Sequence, residues 1–382
     1  MLNEEISLKE LSRAIAAMKN NRSPGPDGIV VEFYKLYWNE IKVDLLKVIR
    51  FGLEQKKLCY SQYLAVIVLL YKKGNRADIR NWRPISLLNV DLKLLSKTLA
   101  MRLKIVLPEI ISTDQRGCIK GRKIGENVRL VEDIIAENDD DAIIMLLDQE
   151  KAFDRVEWSW MIAVLRAFNF GEKFISWIET IYRGAKTSIL TNGVQSKYFP
   201  ISRGIRQGDA MSALLYIIQS EPLAAKLNSS NTFKGIEIEN YNQRAEIKIA
   251  QYVDDTNIFL KNKEQLLPCL KIIEQFEEIS GSKLNRNKTK AIAMHENNVG
   301  VYEGITLTTG PEKILGVSVG KNIDLRPFWE ILIKSVQEKL NIWQSRNLSF
   351  QGKTYLINNL GISSLLYALE MKHIDRSFEN DK

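Results

Sequence analysis

Two adjacent carboxylates, Asp254 and Asp255, lie between two runs rich in β-branched and aromatic residues. Such runs favour strands, so segment 245–261 predicts a β-hairpin with the two acids at its turn. Like charges repel unless a cation lies between them, and carboxylate oxygens suit hard divalent ions such as Mg2+. Pairs of such ions, about 3.5–4 Å apart, serve in-line phosphoryl transfer. An Asp-Asp pair is also a common polar turn, and this pair alone does not exclude that interpretation.

A third acid, Asp148, follows the apolar run 142–147, which predicts a short strand buried on both faces. Neighbouring strands lie about 4.7–4.9 Å apart, so Asp148 can reach the same ions if its strand pairs with the hairpin. The sequence therefore predicts a site for two metal ions formed by Asp148, Asp254 and Asp255.

The net charge of +8 is concentrated in one part of the 382-residue chain. Segment 72–129 holds 14 Lys and Arg against 5 Asp and Glu, and the remainder is about neutral. A basic region is often only a solvated face, but it also suits a phosphate-rich partner such as nucleic acid.

Composition excludes several classes of protein. The longest apolar run, 64–71, is far shorter than the roughly 20 residues that cross a bilayer, so we expect no membrane span. No signal peptide is evident, and we expect an intracellular protein, nuclear or cytoplasmic or both. Three widely spaced cysteines predict no disulfides and no zinc site. Two histidines make a histidine-based triad implausible.

Local patterns predict the elements around the acids. Ser7 with Glu10 three residues later is a capping box that begins an N-terminal helix. A second helical pattern covers about 31–53, and 64–71 predicts a buried strand. A basic amphipathic helix follows at 92–107, and we expect Pro108 to end it.

Two blocks resemble the fingers of LINE-type, non-LTR retrotransposon reverse transcriptases: SPGPDGIVVEFYK at 23–35, and 72–104, which contains NWRPIS. The resemblance implies that these fingers grip the template and the incoming triphosphate. Arg83 matches the family's triphosphate-binding arginine, with Lys73 and Arg76 as helpers. A planar guanidinium that donates paired hydrogen bonds to phosphate oxygens suits this role, although Arg83 could also be a surface cation beside a tryptophan.

The stretch around Asp148 resembles the first palm motif of the same family. By that match Asp148 binds both metal ions. Phe153, five residues later, is the steric gate whose ring leaves no room for a ribonucleotide 2′-hydroxyl. Outside this context Phe153 would be an ordinary core residue. Asp154 is then a structural acid at a turn or helix start.

The segment RGIRQGD resembles the second palm motif, in which Gln207 and Gly208 contact nucleotide and template. Glycine at position 208 lets the backbone approach a base pair or phosphate closely. We expect Asp209 to cap the apolar helix that follows. Ala210 and Ala213 stand where many members have prolines, which leaves the path of this loop open.

The tetrapeptide YVDD matches the family's YxDD signature, with Asp254 as a direct metal ligand and Asp255 as a weaker or supporting one. A later motif implies a lysine near the triphosphate; Lys288 is our choice and Lys290 the competitor. Segment 314–320 resembles the hairpin that supports the primer end.

The predicted fold is α/β (α+β): a right-hand polymerase with helical fingers, an antiparallel-sheet palm and a helical thumb. We expect fingers with an N-terminal extension at 1–141, palm at 142–320, and a complete or truncated thumb at 321–382. The implied activity is that of an RNA-directed DNA polymerase. It would use an RNA template, a DNA primer, dNTPs and two Mg2+ ions, with Mn2+ as an alternative ion.

Three alternatives remain. Another template-dependent polymerase would share the palm, and a two-metal nuclease would also cluster acids, although it needs no aromatic gate. A decayed retroelement fragment would bind nucleic acid without turnover. No endonuclease segment is evident, so we expect that this chain does not nick DNA.

Overall fold

The computed structural model describes residues 2–137, 141–240, 243–321 and 323–372. The helices are α1 (Leu8–Ala16), α2 (Val31–Leu36), α3 (Trp38–Glu54), α4 (Val90–Ile110), α5 (Ile124–Glu137), α6 (Trp158–Ala167), α7 (Glu172–Tyr182), α8 (Ser212–Ser229), α9 (Leu266–Ser280), α10 (Arg326–Asn341), α11 (Phe350–Leu356) and α12 (Ser363–Met371). A π-helical segment, Ile357–Ile362, joins the last two.

The strands are β1 (Leu64–Tyr71), β2 (Trp82–Leu88), β3 (Ile143–Leu147), β4 (Lys186–Thr191), β5 (Val194–Gln195), β6 (Phe199–Pro200), β7 (Ile236–Asn240), β8 (Gln243–Ile247), β9 (Ile249–Tyr252), β10 (Asp255–Leu260), β11 (Lys290–Ala293), β12 (Gly300–Tyr302), β13 (Ile305–Thr308), β14 (Glu312–Ile314) and β15 (Val317–Val319). This mixture of helices and sheets agrees with the predicted α+β class.

The chain forms two compact units, each assembled from three separate segments. The first comprises Met1–Gly121, Gln149–Ser230 and Leu270–Asn285, and the second comprises Arg122–Asp148, Asn231–Cys269 and Arg286–Lys382. The boundaries of fingers, palm and thumb stay a prediction.

The first unit contains a five-stranded sheet, in the order β2-β1-β4-β5 with β6 also paired to β4. Strand β1 runs antiparallel to β2 and parallel to β4. The long helix α4 is buried through most of its apolar positions. The first part of the predicted basic segment 72–129 lies on β2 and on the connection from β1, and the rest lies on α4, α5 and the loop between them.

The N-terminal capping box is confirmed. Ser7 Oγ accepts a hydrogen bond from the Glu10 amide at 3.3 Å, and Glu10 accepts one from the Ser7 amide at 2.9 Å. Arg102 of α4, only 3% exposed, donates to Glu10 Oε1 at 2.6 Å. Burial alone would raise the pKa of Glu10, but Arg102 and Ser7 outweigh it and lower that pKa to about 2.

Two predictions of helix boundaries were wrong. The pattern at 31–53 breaks at Tyr37, whose backbone leaves the helical region between α2 and α3. Pro108 lies inside α4, which continues to Ile110. A proline removes one N–H donor, and the amide of Ile111 still bonds to the carbonyl of Leu107 at 3.1 Å, so the last turn is kept.

The second unit is organised around a six-stranded sheet in the order β12-β13-β11-β3-β10-β9. All its neighbours are antiparallel except β11 and β13, so the predicted antiparallel sheet contains one parallel pair. Strand β3 lies in the interior, and Ile143, Ile144 and Met145 are fully buried. Helix α5 packs its apolar residues into the same core. The predicted buried strand is therefore confirmed.

Two further predictions within this unit are confirmed. The segment 314–320 forms the turn and second strand of the hairpin β14–β15. The C-terminal part is helical, with α10 followed by α11, the π-helical segment and α12.

None of the helices in the described ranges is long and apolar enough to cross a membrane. Cys59, Cys118 and Cys269 are free thiols.

Candidate active site

The predicted hairpin is present, with β9 and β10 joined by a two-residue turn. Tyr252 pairs with Asp255, so Val253 and Asp254 form the turn and Asp255 begins β10. Val253 has a φ of +58°, which is unusual for a β-branched residue. The side chains of Asp254 and Asp255 are exposed. The hairpin thus presents two adjacent carboxylates to solvent at one end of the sheet.

Asp148 lies at the same end of this sheet. Strand β3 pairs antiparallel with β10, and Leu147 lies opposite Thr256. Asp148 and Asp255 are the next residues along the two strands, so the predicted pairing of these strands is confirmed. The Asp148 amide donates to Thr289 Oγ1 at 3.2 Å, and Thr289 is buried. This bond fixes the backbone where the carboxylate projects.

The two competing lysines differ in their surroundings. Strand β11 flanks β3 on the other side, with Lys290 opposite Leu146. Lys290 Nζ binds both carboxylate oxygens of Glu312, at 2.7 and 3.0 Å. Lys288 is exposed and directly precedes Thr289, which holds Asp148. The charge of Lys290 is already paired, so Lys288 stays the predicted phosphate ligand.

The chemistry of the three acids suits a divalent metal ion. They offer only carboxylate oxygens, the donors that Mg2+ and Mn2+ prefer. Among the described residues, no group of three or more Asp, Glu, His or Cys is arranged as a metal cluster. The side chains of Asp254 and Asp255 are exposed, so an ion can reach them from solvent.

In the first unit, Phe153 packs face to face on Tyr216 of α8. The ring centroids are 4.9 Å apart and the planes differ by 14°. Tyr216 is 1% exposed, and its hydroxyl donates to Gln149 Oε1 at 2.7 Å. Phe153 itself is half-buried. One face of the Phe153 ring therefore packs on a buried neighbour, and its role as a steric gate stays a prediction.

Gln207 and Gly208 lie on a turn that is hydrogen-bonded to neighbouring elements. Gln207 Nε2 donates to Asp154 Oδ1 at 3.3 Å, and the Ser86 amide of β2 donates to the Gln207 carbonyl at 2.9 Å. Gly208 has a φ of +106°, a conformation that favours glycine. Burial raises the pKa of Asp154, and the bond from Gln207 opposes that rise. Asp154 lies in a turn, and its structural role stays a prediction.

The expectation that Asp209 caps the following helix was wrong. The N-cap of α8 is Met211, and no side chain caps it. Asp209 is 8% exposed and accepts a hydrogen bond from the Ser96 hydroxyl of α4. The helix begins too late in the chain for Asp209 to occupy the cap position.

The predicted cations lie on or beside the β1–β2 connection. Arg83 is exposed on β2 and pairs with Leu70 in the strand register. The guanidinium of Arg76 lies 4.9 Å from the centre of the Tyr71 ring. Lys73 is exposed in the connection. All three cations are exposed, and Arg76 also contacts the face of the Tyr71 ring.

The structure groups the predicted residues by unit. Asp148, Asp254, Asp255 and Lys288 belong to the second unit; Arg83, Lys73, Arg76, Phe153, Gln207 and Gly208 belong to the first. Sequence reasoning missed three supporting side chains: Thr289, which bonds to the Asp148 amide, Tyr216, which stacks on Phe153, and Ser96, which bonds to Asp209. A buried hydroxyl has no distinctive local spacing, so only three-dimensional contacts reveal these supports.

The chain is similar to several known proteins. The family described as reverse transcriptase (RNA-dependent DNA polymerase) matches residues 70–319, well over half of the chain. The solved structure of apo telomerase from Candida tropicalis aligns with a TM-score of 0.49 and 11% identity, covering 90% of this chain and 64% of that chain.

Several curated relatives are retrotransposon proteins. The transposon TX1 uncharacterized 149 kDa protein of Xenopus laevis is 31% identical over 378 residues, covering 96% of this chain and 29% of the relative. The Pol polyprotein of the R2DM element of Drosophila melanogaster is 28% identical, covering 70% and 24%. The RNA-directed DNA polymerase from mobile element jockey of Drosophila funebris is 21% identical, covering 96% and 41%.

The chain spans less than half the length of these relatives. The match over 70–319 includes Asp148, Asp254 and Asp255 and confirms the resemblance seen in the sequence, together with the polymerase fold. The chain belongs to the reverse transcriptase family, among its non-LTR retrotransposon members.

Proposed function

We propose that this chain is the RNA-directed DNA polymerase of a non-LTR retrotransposon. It extends the 3′-hydroxyl of a DNA primer on an RNA template with dNTPs. One observation carries the proposal: Asp148, Asp254 and Asp255 lie at one end of a single sheet, on strands whose register makes them neighbours. RNA templates and dNTPs occur inside cells, so the proposed location is intracellular, in the nucleus, the cytoplasm or both.

Reverse transcriptases generally use divalent metal ions. Here Asp148 and Asp254 would hold two Mg2+ ions, or Mn2+ in their place, with Asp255 in support. When bound, such ions lower the pKa of the primer hydroxyl and stabilise the charge on the departing pyrophosphate. The chain's own contribution is to place the carboxylates, through the β3–β10 pairing and the Thr289 hydrogen bond.

Other residues position the nucleotide. Arg83 donates paired hydrogen bonds to phosphate oxygens, and Lys73 adds positive charge. Lys288 supplies a positive charge or a proton to the leaving pyrophosphate. Phe153 excludes the 2′-hydroxyl of a ribonucleotide. The packing of Arg76 on Tyr71 supports a helper role for Arg76 rather than that of principal ligand.

The turn at Gln207 and Gly208 provides the remaining contact with the nucleotide and template. Its carbonyl bond to Ser86 joins it to β2, the strand that carries Arg83. Gly208 lies close to β2, since a β-carbon at this position would lie 3.4 Å from the Ser86 carbonyl oxygen, and its φ of +106° favours glycine. These contacts give the nucleotide-binding residues of the first unit a common frame.

Primer extension tests the proposal. Purified chain is incubated with a labelled DNA primer on an RNA template, dNTPs and Mg2+, beside Asp254→Ala. Glu264→Ala is the matched control, because it removes one exposed acid from the same unit outside the proposed site. We expect extension by the wild type and by Glu264→Ala, loss with EDTA, and no extension by Asp254→Ala.

The main alternative is a decayed fragment that binds nucleic acid without turnover. It predicts equal binding of primer-template by wild type and Asp254→Ala, with extension by neither. Extension that persists at the wild-type rate in Asp254→Ala would contradict the assignment of the metal site. Extension on DNA templates alone would favour a different template-dependent polymerase.

A further inference from the structure

The turn Arg206–Asp209 divides its side chains between two environments. Its outer residues are buried, with Arg206 4% and Asp209 8% exposed. Its inner residues are less buried, since Gln207 is half-buried and Gly208 is exposed. The Asp209 amide bonds to the Arg206 carbonyl at 3.2 Å and closes the turn. The two charged ends are thus anchored inside the unit, while the two proposed nucleotide-contacting positions between them are more accessible to solvent.

Arg206 anchors the first end to helix α7. Its Nη2 donates to the carbonyl of Ile181, in the last turn of that helix, at 3.0 Å. A cation is favoured there by the partial negative charge of the helix C-terminus. The guanidinium also lies 5.5 Å from the centre of the Tyr182 ring. The Ser212 hydroxyl donates to the Arg206 carbonyl at 2.7 Å, which fixes the backbone as well.

Asp209 anchors the second end to helix α4. It accepts a hydrogen bond from the hydroxyl of Ser96, which is fully buried and lies 113 residues earlier in the chain. The Met211 amide contributes a longer contact at 3.4 Å. The other carboxylate oxygen of Asp209, and Nε and Nη1 of Arg206, make no hydrogen bond within the described residues. Opposite charges are therefore buried together with few direct bonds.

This arrangement is costly for stability alone. Two opposite charges taken out of water are often no more stabilising than apolar residues of the same volume. Burial raises the pKa of Asp209, although the Ser96 hydroxyl and the Arg206 charge oppose that rise. The bonds that are present, from Arg206 to Ile181 and from Ser96 to Asp209, tie both ends of the turn to neighbouring helices and so restrict the backbone between them. The segment held in that way is Gln207–Gly208.

We propose that Ser96, Arg206 and Asp209 are positioning residues that hold Gln207 and Gly208 in the conformation that receives the incoming nucleotide. This inference rests on the proposed polymerase function. It predicts that loosening the anchors weakens dNTP binding more than it slows the chemical step, because the proposed metal ligands are unchanged.

The matched variants are Ser96→Ala and Thr98→Val. Each removes one buried hydroxyl from α4, but the Thr98 hydroxyl bonds only to the Leu94 carbonyl of its own helix, at 2.9 Å. We expect Ser96→Ala to raise KM for dNTP about 10-fold with kcat within about twofold, as loss of a hydrogen bond to a charged group allows. Thr98→Val should leave both constants near wild type, and Ser96→Thr should restore most of the affinity.

Hydrogen exchange of the peptide 203–211 gives a readout independent of activity. We expect faster exchange in Ser96→Ala and Asp209→Asn than in wild type, with Thr98→Val unchanged. Unchanged KM and unchanged exchange in a folded Ser96→Ala would overturn the inference. If the wild type extends no primer, the proposed function fails, and the exchange comparison alone decides whether the anchors hold the turn.

Discussion

Removing the ring of Phe153 should relax discrimination against ribonucleotides. The proposed gate rejects one added hydroxyl by steric contact, and a close apolar wall typically rejects such an addition by about 100-fold. We therefore expect Phe153→Ala to raise kcat/KM for an rNTP, relative to the matching dNTP, by about 100-fold. In free energy this is about 2.7 kcal/mol of lost discrimination.

Tyr216 should contribute a smaller part of the same effect. Its stacked contact with Phe153, at 4.9 Å between centroids, is worth about 0.5–1.5 kcal/mol beyond area burial. If this contact holds the gate in place, Tyr216→Ala should relax discrimination about 2- to 10-fold. Tyr216→Phe keeps the ring and loses only the bond to Gln149, so it should stay near wild type.

The assay is single-nucleotide extension with dNTP or rNTP under steady-state conditions. Phe199→Ala is the control, because Phe199 is 40% exposed on β6 and has no proposed contact with nucleotide. Circular dichroism and thermal unfolding establish that each variant folds. A folded Phe153→Ala protein with a wild-type ratio of rNTP to dNTP use would refute the gate.

Three further predictions concern the turn, the N-terminal capping box and the lysines. Val253→Asn should raise the free energy of unfolding in urea by about 1 kcal/mol, because asparagine tolerates the φ of +58° at this position better than valine does. A lower urea midpoint in the variant would contradict backbone strain at Val253. The pKa of Glu10 is lowered to about 2, so the stability that its carboxylate adds is present above pH 4.5 and is lost as the pH falls towards 2. The difference in urea midpoint between wild type and Glu10→Gln should therefore shrink over that range. A difference that stays constant would contradict this prediction. Lys288→Ala should slow primer extension at least about 10-fold. Lys290→Ala should chiefly lower thermal stability, because it removes the ion pair with Glu312. If Lys290→Ala slows extension and Lys288→Ala does not, Lys290 is the phosphate ligand.

Local patterns predicted the acids and their strands well. The β-branched and aromatic runs around Asp254 and the apolar run before Asp148 each depend on a few consecutive residues, and the strands next to these acids formed within the predicted segments. The capping box at Ser7 was predictable for the same reason. Where neighbours in the chain decide the structure, the sequence was sufficient.

Contacts between distant parts of the chain were not predictable. The bond from Asp148 to Thr289 spans 141 residues, and the bond from Ser96 to Asp209 spans 113. Asp209 resembled a helix cap because aspartate is favoured at the N-cap position before a helix. In the structure it is buried instead and bonds to Ser96 of α4. Pro108 was expected to end α4, but one missing donor near the helix end was tolerated.

The division of each unit among three chain segments bears on synthesis as well as on structure. The ribosome synthesises the chain from its N-terminus. The first unit is therefore incomplete until residue 285 has emerged, and the second unit is incomplete until the segment that begins at residue 286 has emerged. Until then the partly assembled units expose surfaces that later residues cover. Neither unit can be expressed as one uninterrupted fragment, because the segments of the two units alternate along the chain. A cut at any internal position, even between two segments, therefore divides at least one of the units.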